Sequence, residues 1–515
     1  MMRTERTLRQ TSVALAGALA AAALVAAPGS ASTALAAPAT SEPRLADDAI
    51  AAEVESELLL DPAVQLADLK VRVDDGIVTL TGTADSLGEK DRAATVAGTV
   101  RGVRSVVNRL KVQPDEDLPP EQLAARVESA LLRNPATESF EIDADARVGG
   151  IVILEGTVDS WREKNIARRV SANVAGVTGL DNRIDIDIVS GRPDGELKAE
   201  IEQAMKWDAL VDERDITVEV EEGVVTLKGV VGSQAEKSEA VYDAYVRGVT
   251  RVDESALDVS GWAEEHDARR PALADRSDAE IEAAAKDAMQ RDPRVDDDDV
   301  SLRVRNGVVG LSGTVHSLSA KRTAAAIVRR TTGVLAVKND LAVNPSEPRP
   351  DDQIQSDVGQ ALAASPAVEA TGIETRVNGG IVTLTGSVSS NYERMRVSHL
   401  TEDIVGVRLV KNQLEVETDE PVTYDPYIDD VYVYDYAWYA YEPSTTTQSD
   451  VEIAREIRDE LWWSPFVDSD EVAIIVEDGI ATLTGQVDSW AERESATENA
   501  YEAGAIWVDN DLGVR

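Results

Sequence analysis

Residues 76–89 read Gly-Ile-Val-Thr-Leu-Thr-Gly-Thr-Ala-Asp-Ser-Leu-Gly-Glu, and it is the return of this stretch along the chain that decides the fold. Its core is Gly, Ile or Val, Val, any residue, Leu, any residue, Gly, with Ala481 in the Val place of the last copy. The six copies open at Gly76, Gly150, Gly223, Gly307, Gly380 and Gly479. They close at Gly82, Gly156, Gly229, Gly313, Gly386 and Gly485. Two glycines six apart are a weak signal once; six occurrences with matching flanks are a repeat.

Working outward, the residues before the first glycine alternate, as in Leu69, Val71, Val73 and in Val472, Ile474, Val476, the period of a half-buried strand. Val78 and Leu80 continue it beyond the glycine. Asp75-Gly76, Glu222-Gly223, Asn306-Gly307 and Asp478-Gly479 suit the positive φ of a tight hairpin. Four residues past the second glycine stands Ser86, Ser160, Ser233, Ser317, Ser390 or Ser489. Five of these serines have a glutamate three residues on: Glu89, Glu163, Glu236, Glu393 and Glu492. That spacing predicts a capping box at a helix start, so this row of Ser and Glu is structural.

The helix that follows carries Ala93, Val96, Ala97 and Val100 at helical spacing and ends near Gly102-Val103, Gly176-Val177, Gly248-Val249, Gly333-Val334 or Gly406-Val407. A short third strand comes next, Val106 to Val112 in the first copy. Ahead of each hairpin lies another amphipathic helix, Ile50, Val54, Leu58 in the first, closed in most copies by a proline: Pro62, Pro135, Pro293, Pro366 or Pro465. The expected fold is α+β: six tandem small α-β-β-α-β sandwich modules, each with two helices on one three-stranded sheet.

The N-terminus combines Arg3, Arg6 and Arg9 with an apolar run from Val13 to Ala27 and small residues around Ala31 and Ala34-Leu35-Ala36, as a secretory signal peptide does. The expected organisation is a signal peptide over 1–37, then modules over 45–113, 119–189, 194–260, 275–344, 350–416 and 450–515. Residues 417–449 form an acidic, tyrosine-rich linker.

The order of elements, the glycine pair, the Gly-Val before the last strand and an asparagine at Asn108, Asn182, Asn339, Asn412 and Asn510 closely resemble the BON domain, the bacterial OsmY and nodulation domain. The resemblance covers nearly the whole chain after the signal peptide. It implies envelope or phospholipid binding in place of catalysis. Copy three departs from the pattern at Glu254 and lacks the proline near Asp208; copy six has Gly504-Ala505-Ile506 in place of Gly-Val.

With 51 Lys and Arg against 95 Asp and Glu, the net charge of -44 lacks the basic footprint of a nucleic-acid binder. It also repels anionic headgroups, so membrane contact needs local apolar side chains, bridging divalent cations or a locally basic patch. The absence of cysteine excludes disulfides, thiolate metal sites, a catalytic thiol and a lipidated N-terminal cysteine.

His266, His316 and His399 occupy no equivalent places in the repeat, which excludes a repeated histidine site. The run Asp296 to Asp299 lacks the spacing of a calcium loop, and no phosphate loop or nucleophile elbow occurs. No catalytic residue, metal site or cofactor is expected.

Aromatic placement is more informative. At the end of each first helix the copies carry Leu60, Arg133, Trp207, Arg291, Ala364 and Trp463, and a place that accepts Arg and Ala is expected to be exposed. Trp207 and Trp463 there, with Trp161 and Trp490 at the start of the second helix, are candidate contacts with lipid or a partner. The alternative is that each ring packs on a neighbouring module. In the linker Tyr432, Tyr434, Tyr436 and Trp438 are further candidates, the three tyrosines sharing one face of an extended strand.

The function expected is that of a periplasmic or secreted, non-enzymatic envelope protein whose partner is a phospholipid surface or another envelope component, serving envelope maintenance or osmotic or general stress. The alternative is an assembly protein that grips an envelope protein or glycan through the tyrosine-rich insertion.

Overall fold

Each glycine-framed stretch is the central strand of a small sheet. In the computed structural model, which describes residues 45–114, 118–138, 140–187, 192–260, 276–295, 299–345, 349–418 and 448–514, six such sheets follow one another. The expected signal peptide, Tyr432, Tyr434, Tyr436, Trp438, His266 and most of the Asp296 to Asp299 run lie outside the described residues.

Module 1 shows the plan. Helix Asp47–Leu60 precedes strands Ala67–Asp74 and Ile77–Ala84; helix Leu87–Gly98 leads to strand Ser105–Asn108, extended by Lys111–Val112. The hairpin is antiparallel, with Val73 opposite Val78, and the third strand joins the central one in parallel, Val78 beside Val106. Only a crossover helix can connect parallel neighbours at this length, so the second helix is forced onto the sheet. The first helix presents Ile50, Val54 and Leu58 to the same side and closes a core with Val78, Leu80, Val96 and Leu110. Full burial of such side chains contributes roughly 1.5–3 kcal/mol each.

Three polar devices recur in these modules. Asp75 (φ 55°) and Gly76 (φ 72°) make a turn with two successive left-handed residues, and the Asp47 carboxylate accepts both of their amide hydrogens at 3.0 Å. Asp194, Asp278, Asp351 and Asp450 clamp their hairpins in the same way. In module 2 the turn is one residue longer and Val148 stands exposed in it.

The repeated Ser and Glu divide their labour differently from a capping box. Ser86, Ser160, Ser233, Ser390 and Ser489 accept the amide three residues on, as expected. The glutamate does not return to the serine's own amide. Glu89 accepts from Asp85 N at 2.7 Å and from Gln65 N, in the loop after the first helix, at 2.5 Å. Glu236, Glu393 and Glu492 bind Asp212 and Gly232, Glu369 and Ser389, and Asp468 and Asp488 in the same manner. A charge-assisted staple between the two ends of the module takes the place of the local cap and gives the loop amides an anionic acceptor. True reciprocal boxes occur at two first helices, Ser277 with Glu280 and Ser449 with Glu452.

The third device is the asparagine. Asn108 Nδ2 donates to Lys90 O of the second helix and its Oδ1 accepts from Leu110 N; Asn182, Asn339, Asn412 and Asn510 repeat the pattern. In module 3, Glu254 stands where the asparagine would fall, and the third strand shifts register between Thr226 and Lys228. The second glycine is required by contact: a Cβ on Gly229 would lie 1.8 Å from Asp215 O, just ahead of the adjoining strand Ile216–Glu221.

Candidate functional site

The six modules of the unit Arg44–Arg515 do not stand apart; they meet in nested pairs, 1 with 6, 2 with 5 and 3 with 4. The amide just ahead of a helix-ending glycine donates to the carbonyl at the end of the partner's first helix. Thr332 N reaches Trp207 O at 2.8 Å, Val405 N reaches Arg133 O at 3.0 Å, Ala175 N reaches Ala364 O at 2.8 Å, and Arg101 N reaches Trp463 O at 3.2 Å. In pair 3·4 a second bond, Ala209 N to Arg330 O at 2.8 Å, flanks an antiparallel bridge between Asp208 and Thr331. Module 3 thereby keeps its first helix closed without the proline found elsewhere.

These contacts correct the expectation of exposure at the end of the first helix. Trp207 is 7% exposed and belongs to the core of module 4; Arg133 and Ala364 are buried, and Trp463 packs on the core of module 1. Arg and Ala are tolerated there because the carbonyl makes the contact and the side chain fills whatever space the partner leaves. Leu60 alone in this row is exposed, at 39%.

The first residue of the second helix is a second knob. Leu87 of module 1 enters the core of module 2, and Trp161 of module 2 stacks on Tyr245 of module 3 with centroids 3.9 Å apart. Gln234 of module 3 lies against Gly98 of module 1, which closes the circle. On the other side, Leu318 of module 4 packs on module 5, and Trp490 of module 6 lies under the Arg329 guanidinium of module 4 at 4.9 Å. Trp161, Trp207, Trp463 and Trp490 therefore all pack on neighbouring modules.

Charge differs sharply among the three seams. The 1·6 crevice is walled by Glu57, Asp61, Glu498 and Glu502 with Arg92. Glu53, Glu57 and Glu460 bring carboxylate oxygens within 4.8 Å of one another, a group able to hold a metal ion. Burial, reinforced by Asp459, pushes Glu53 up to about 7; burial, reinforced by Glu53 and Glu502, pushes Glu460 up to about 8. Glu53 and Glu460 therefore take up protons near neutral pH, while the seam as a whole stays acidic.

Seam 3·4 is mixed. Arg330 bridges Asp208 at 3.2 Å and Glu239, while Arg162 of module 2 lies over the Tyr242 ring at 4.2 Å. Asp208, Glu239 and Asp243 form the second carboxylate group of metal-binding spacing, though Arg162, Arg291, Arg294 and Arg330 line the same crevice. Burial and the neighbouring acids Asp208 and Glu239 raise Asp243 well above the usual carboxylate range.

At the meeting of modules 2, 4 and 5 the crevice is basic, with Arg133, Arg169, Arg294, Arg322, Arg396 and His399 around about 200 Å³. Sequence reading missed it because these residues come from three copies at unrelated places and converge only when the modules pair. Arg133 was visible only as an odd substitute for tryptophan.

The sheets turn their uncovered faces outward. The central outward place on the first strand is Arg72, Asp145, Glu219, Arg303 or Arg376 in five modules and Ile475 in the sixth. Ile475 is 57% exposed and Trp507, beside Ile480 on the next strand, is 40% exposed. Module 6 thus has Ile475 at a place where its siblings are charged, which joins it to Ile480 and Trp507 in one apolar outer face. The glycine frame hid this face, because Ile480 fits the repeat and Trp507 lies past the helix-ending glycine.

Comparison with known proteins gives the pattern a family. Residues 46–114, 120–187, 193–261, 277–345, 350–418 and 449–515 match the BON domain. The chain is similar to the osmotically-inducible protein Y of Escherichia coli (strain K12), 36% identical over 142 residues, which cover 26% of this chain and 70% of that protein. It is also 31% identical over 136 residues to an uncharacterized protein in the gshII 5' region of Anaplasma centrale, covering 25% of this chain and 88% of that one. Among solved structures, the C-terminal domain of CdsD, the structural protein of the type III secretion system of Chlamydia trachomatis, matches 44% of this chain and 98% of its own, at 16% identity and a TM-score of 0.12. Among the described residues no helix is long and apolar enough to cross a membrane.

Proposed function

The chain belongs to the BON-domain family, and on that premise we propose that it is an exported, non-enzymatic envelope protein that binds phospholipid or another envelope component in osmotic or general stress. The observation that carries this reading is the sixfold family match together with the similarity to osmotically-inducible protein Y. A family generally free of enzymatic activity supports a binding role, and the seam tryptophans hold modules together, which leaves contact to the outer sheet faces.

The strongest such face is that of module 6. Ile475, Ile480 and Trp507 are apolar neighbours on one sheet surface, and the Trp507 indole N–H already has a polar partner in Asp509 at 2.8 Å. An amphipathic ring of this kind suits a headgroup layer. Because net charge repels anionic lipid, divalent cations strengthen the contact. Tyr432, Tyr434, Tyr436 and Trp438 of the neighbouring insertion supply a second contact of the same character.

Flotation of the mature protein with zwitterionic and anionic liposomes, with and without Mg²⁺, tests the reading. Binding is expected to fall at least about tenfold in a variant carrying Ile475→Ser and Trp507→Ala, since two half-exposed apolar side chains are worth over 1.4 kcal/mol of contact. Absence of flotation under every condition would remove phospholipid as the partner.

A further inference from the structure

We propose that the crevice where modules 2, 4 and 5 meet is a binding site for a small, multiply charged oxyanion of the phosphate class, gripped by Arg133, Arg169, Arg322 and Arg396. The site stands independently of any membrane contact made by the sheet faces.

Its composition reverses that of the chain. Acids outnumber bases by 95 to 51 overall, yet this wall holds five arginines and a histidine against one carboxylate, Asp403. Pairing does not impose such a reversal, since the 1·6 crevice is acidic. Arg294 pairs with Asp292 at 2.7 Å, and Arg322 pairs with Asp403 at 3.0 Å and with Glu402.

Arg133 is the informative member. It is 6% exposed, and its guanidinium donates only to neutral oxygens, Ser129 Oγ and Gln360 Oε1, both at 2.9 Å. Its Nε is buried and makes no hydrogen bond. The nearest acid that it feels, Asp357, is taken by Arg349 at 3.2 Å. Arg322 Nε is likewise buried and unbonded. A guanidinium stays charged at any physiological pH, so a buried one facing neutral groups lacks a counter-charge that an incoming anion would supply.

His399 reports the sign of the field. Burial first, then the charges of Arg322 and Arg396, hold its imidazole well below the usual range. Glu402 and Asp403, the acids on the same stretch, are engaged by Arg322 and leave the crevice positive. Several planar forks around one space of about 200 Å³ match the oxygens of a phosphoryl group carrying a few further atoms, and the space is too small for an acyl chain.

The test uses the mature full-length chain and its three histidines, whose imidazole Cε1–H resonances are few enough to assign with His399→Gln. Sodium phosphate is titrated at constant ionic strength. A saturable shift of the His399 signal with a midpoint below about 5 mM is expected, weakened at least about tenfold by Arg169→Gln and by Arg396→Gln while the melting temperature holds. No saturation by about 50 mM, equal affinity in both variants, or an equal response to chloride would overturn the site. Glycerol 3-phosphate that matches phosphate assigns a soluble phosphoryl compound. Phosphatidylglycerol vesicles that shift His399 where both soluble compounds fail would contradict that assignment.

Discussion

In the pair of modules 1 and 6 the crevice beside the shared backbone hydrogen bond is walled by Glu57, Asp61, Glu498 and Glu502; beside the pair of modules 2 and 5 it is walled by Arg133, Arg169, Arg322 and Arg396. The backbone contact is the same in both, an amide ahead of a helix-ending glycine bonded to the last carbonyl of the partner's first helix. A contact made by main chain constrains side chains little. The copies have therefore kept one fold and one way of pairing while their seams acquired opposite charge, and it is in the seams and on outer faces that one module differs in use from another.

The largest expected effect separates the anchors of the two pairs. Trp463→Ala removes a ring that packs on the core of module 1 and should cost about 2–3 kcal/mol, the lower end for a large aromatic because the ring is half-buried. At the matching place in pair 2·5, Arg133→Met keeps an apolar stem and removes a buried charge with neutral partners, so stability should change by less than about 1 kcal/mol. Thermal denaturation of both variants makes the comparison; equal losses would break it.

Next in size, Glu393→Gln and Glu492→Gln each weaken two charge-assisted amide bonds of the intramodule staple and should cost about 1–2 kcal/mol apiece. One substitution in each pair giving similar losses by urea unfolding would show that modules 5 and 6 share the same internal staple although their seams carry opposite charge.

The two seams should answer pH in opposite directions. Glu53 and Glu460 have folded values raised to about 7 and about 8, so their neutral forms favour the folded state. Their contribution is complete below the ordinary carboxylate range and is lost as pH rises through 7 to 8. His399 has its folded value depressed, so its contribution is present above the ordinary histidine value and is lost as pH falls below it. Amide exchange at Arg101 in seam 1·6 should quicken from pH 6 to 8, and at Val405 in seam 2·5 from pH 7 to 5, after correction for intrinsic rates. Glu460→Gln should raise stability by about 1–2 kcal/mol near pH 8 and change little at pH 5.

The smallest expected effect is that of salt. Screening relieves repulsion among the acids of seam 1·6 and leaves the ion-paired seam 3·4 nearly unchanged, a difference of under about 1 kcal/mol between low and high salt. Exchange at Arg101 and Thr332 at two salt concentrations reads it.

The module was legible because its signals are local: alternation, turn chemistry and helix caps act within a few residues of each glycine. The serine cap was visible for that reason. The partner of Glu89 was not, since Gln65 lies 24 residues earlier and nothing in the spacing distinguishes a staple from a box. The seams were less legible still. Trp207 and Arg133 at one register place suggested exposure, when the feature common to them was a carbonyl that no side-chain pattern encodes. The arginine crevice joins residues from three copies, and each alone reads as an ordinary solvated charge.

The central claim is that the modules fold back into nested pairs, and the absence of cysteine makes one distance measurement decisive. Glu55→Cys and Arg458→Cys place spin labels on exposed positions of two first helices whose glutamates meet in seam 1·6. Double electron–electron resonance on the protein is predicted to give one narrow distribution centred at roughly 30 Å or less, the span of two adjacent helices and two label arms. A broad distribution beyond about 50 Å, as six modules strung in sequence would produce, would contradict the pairing.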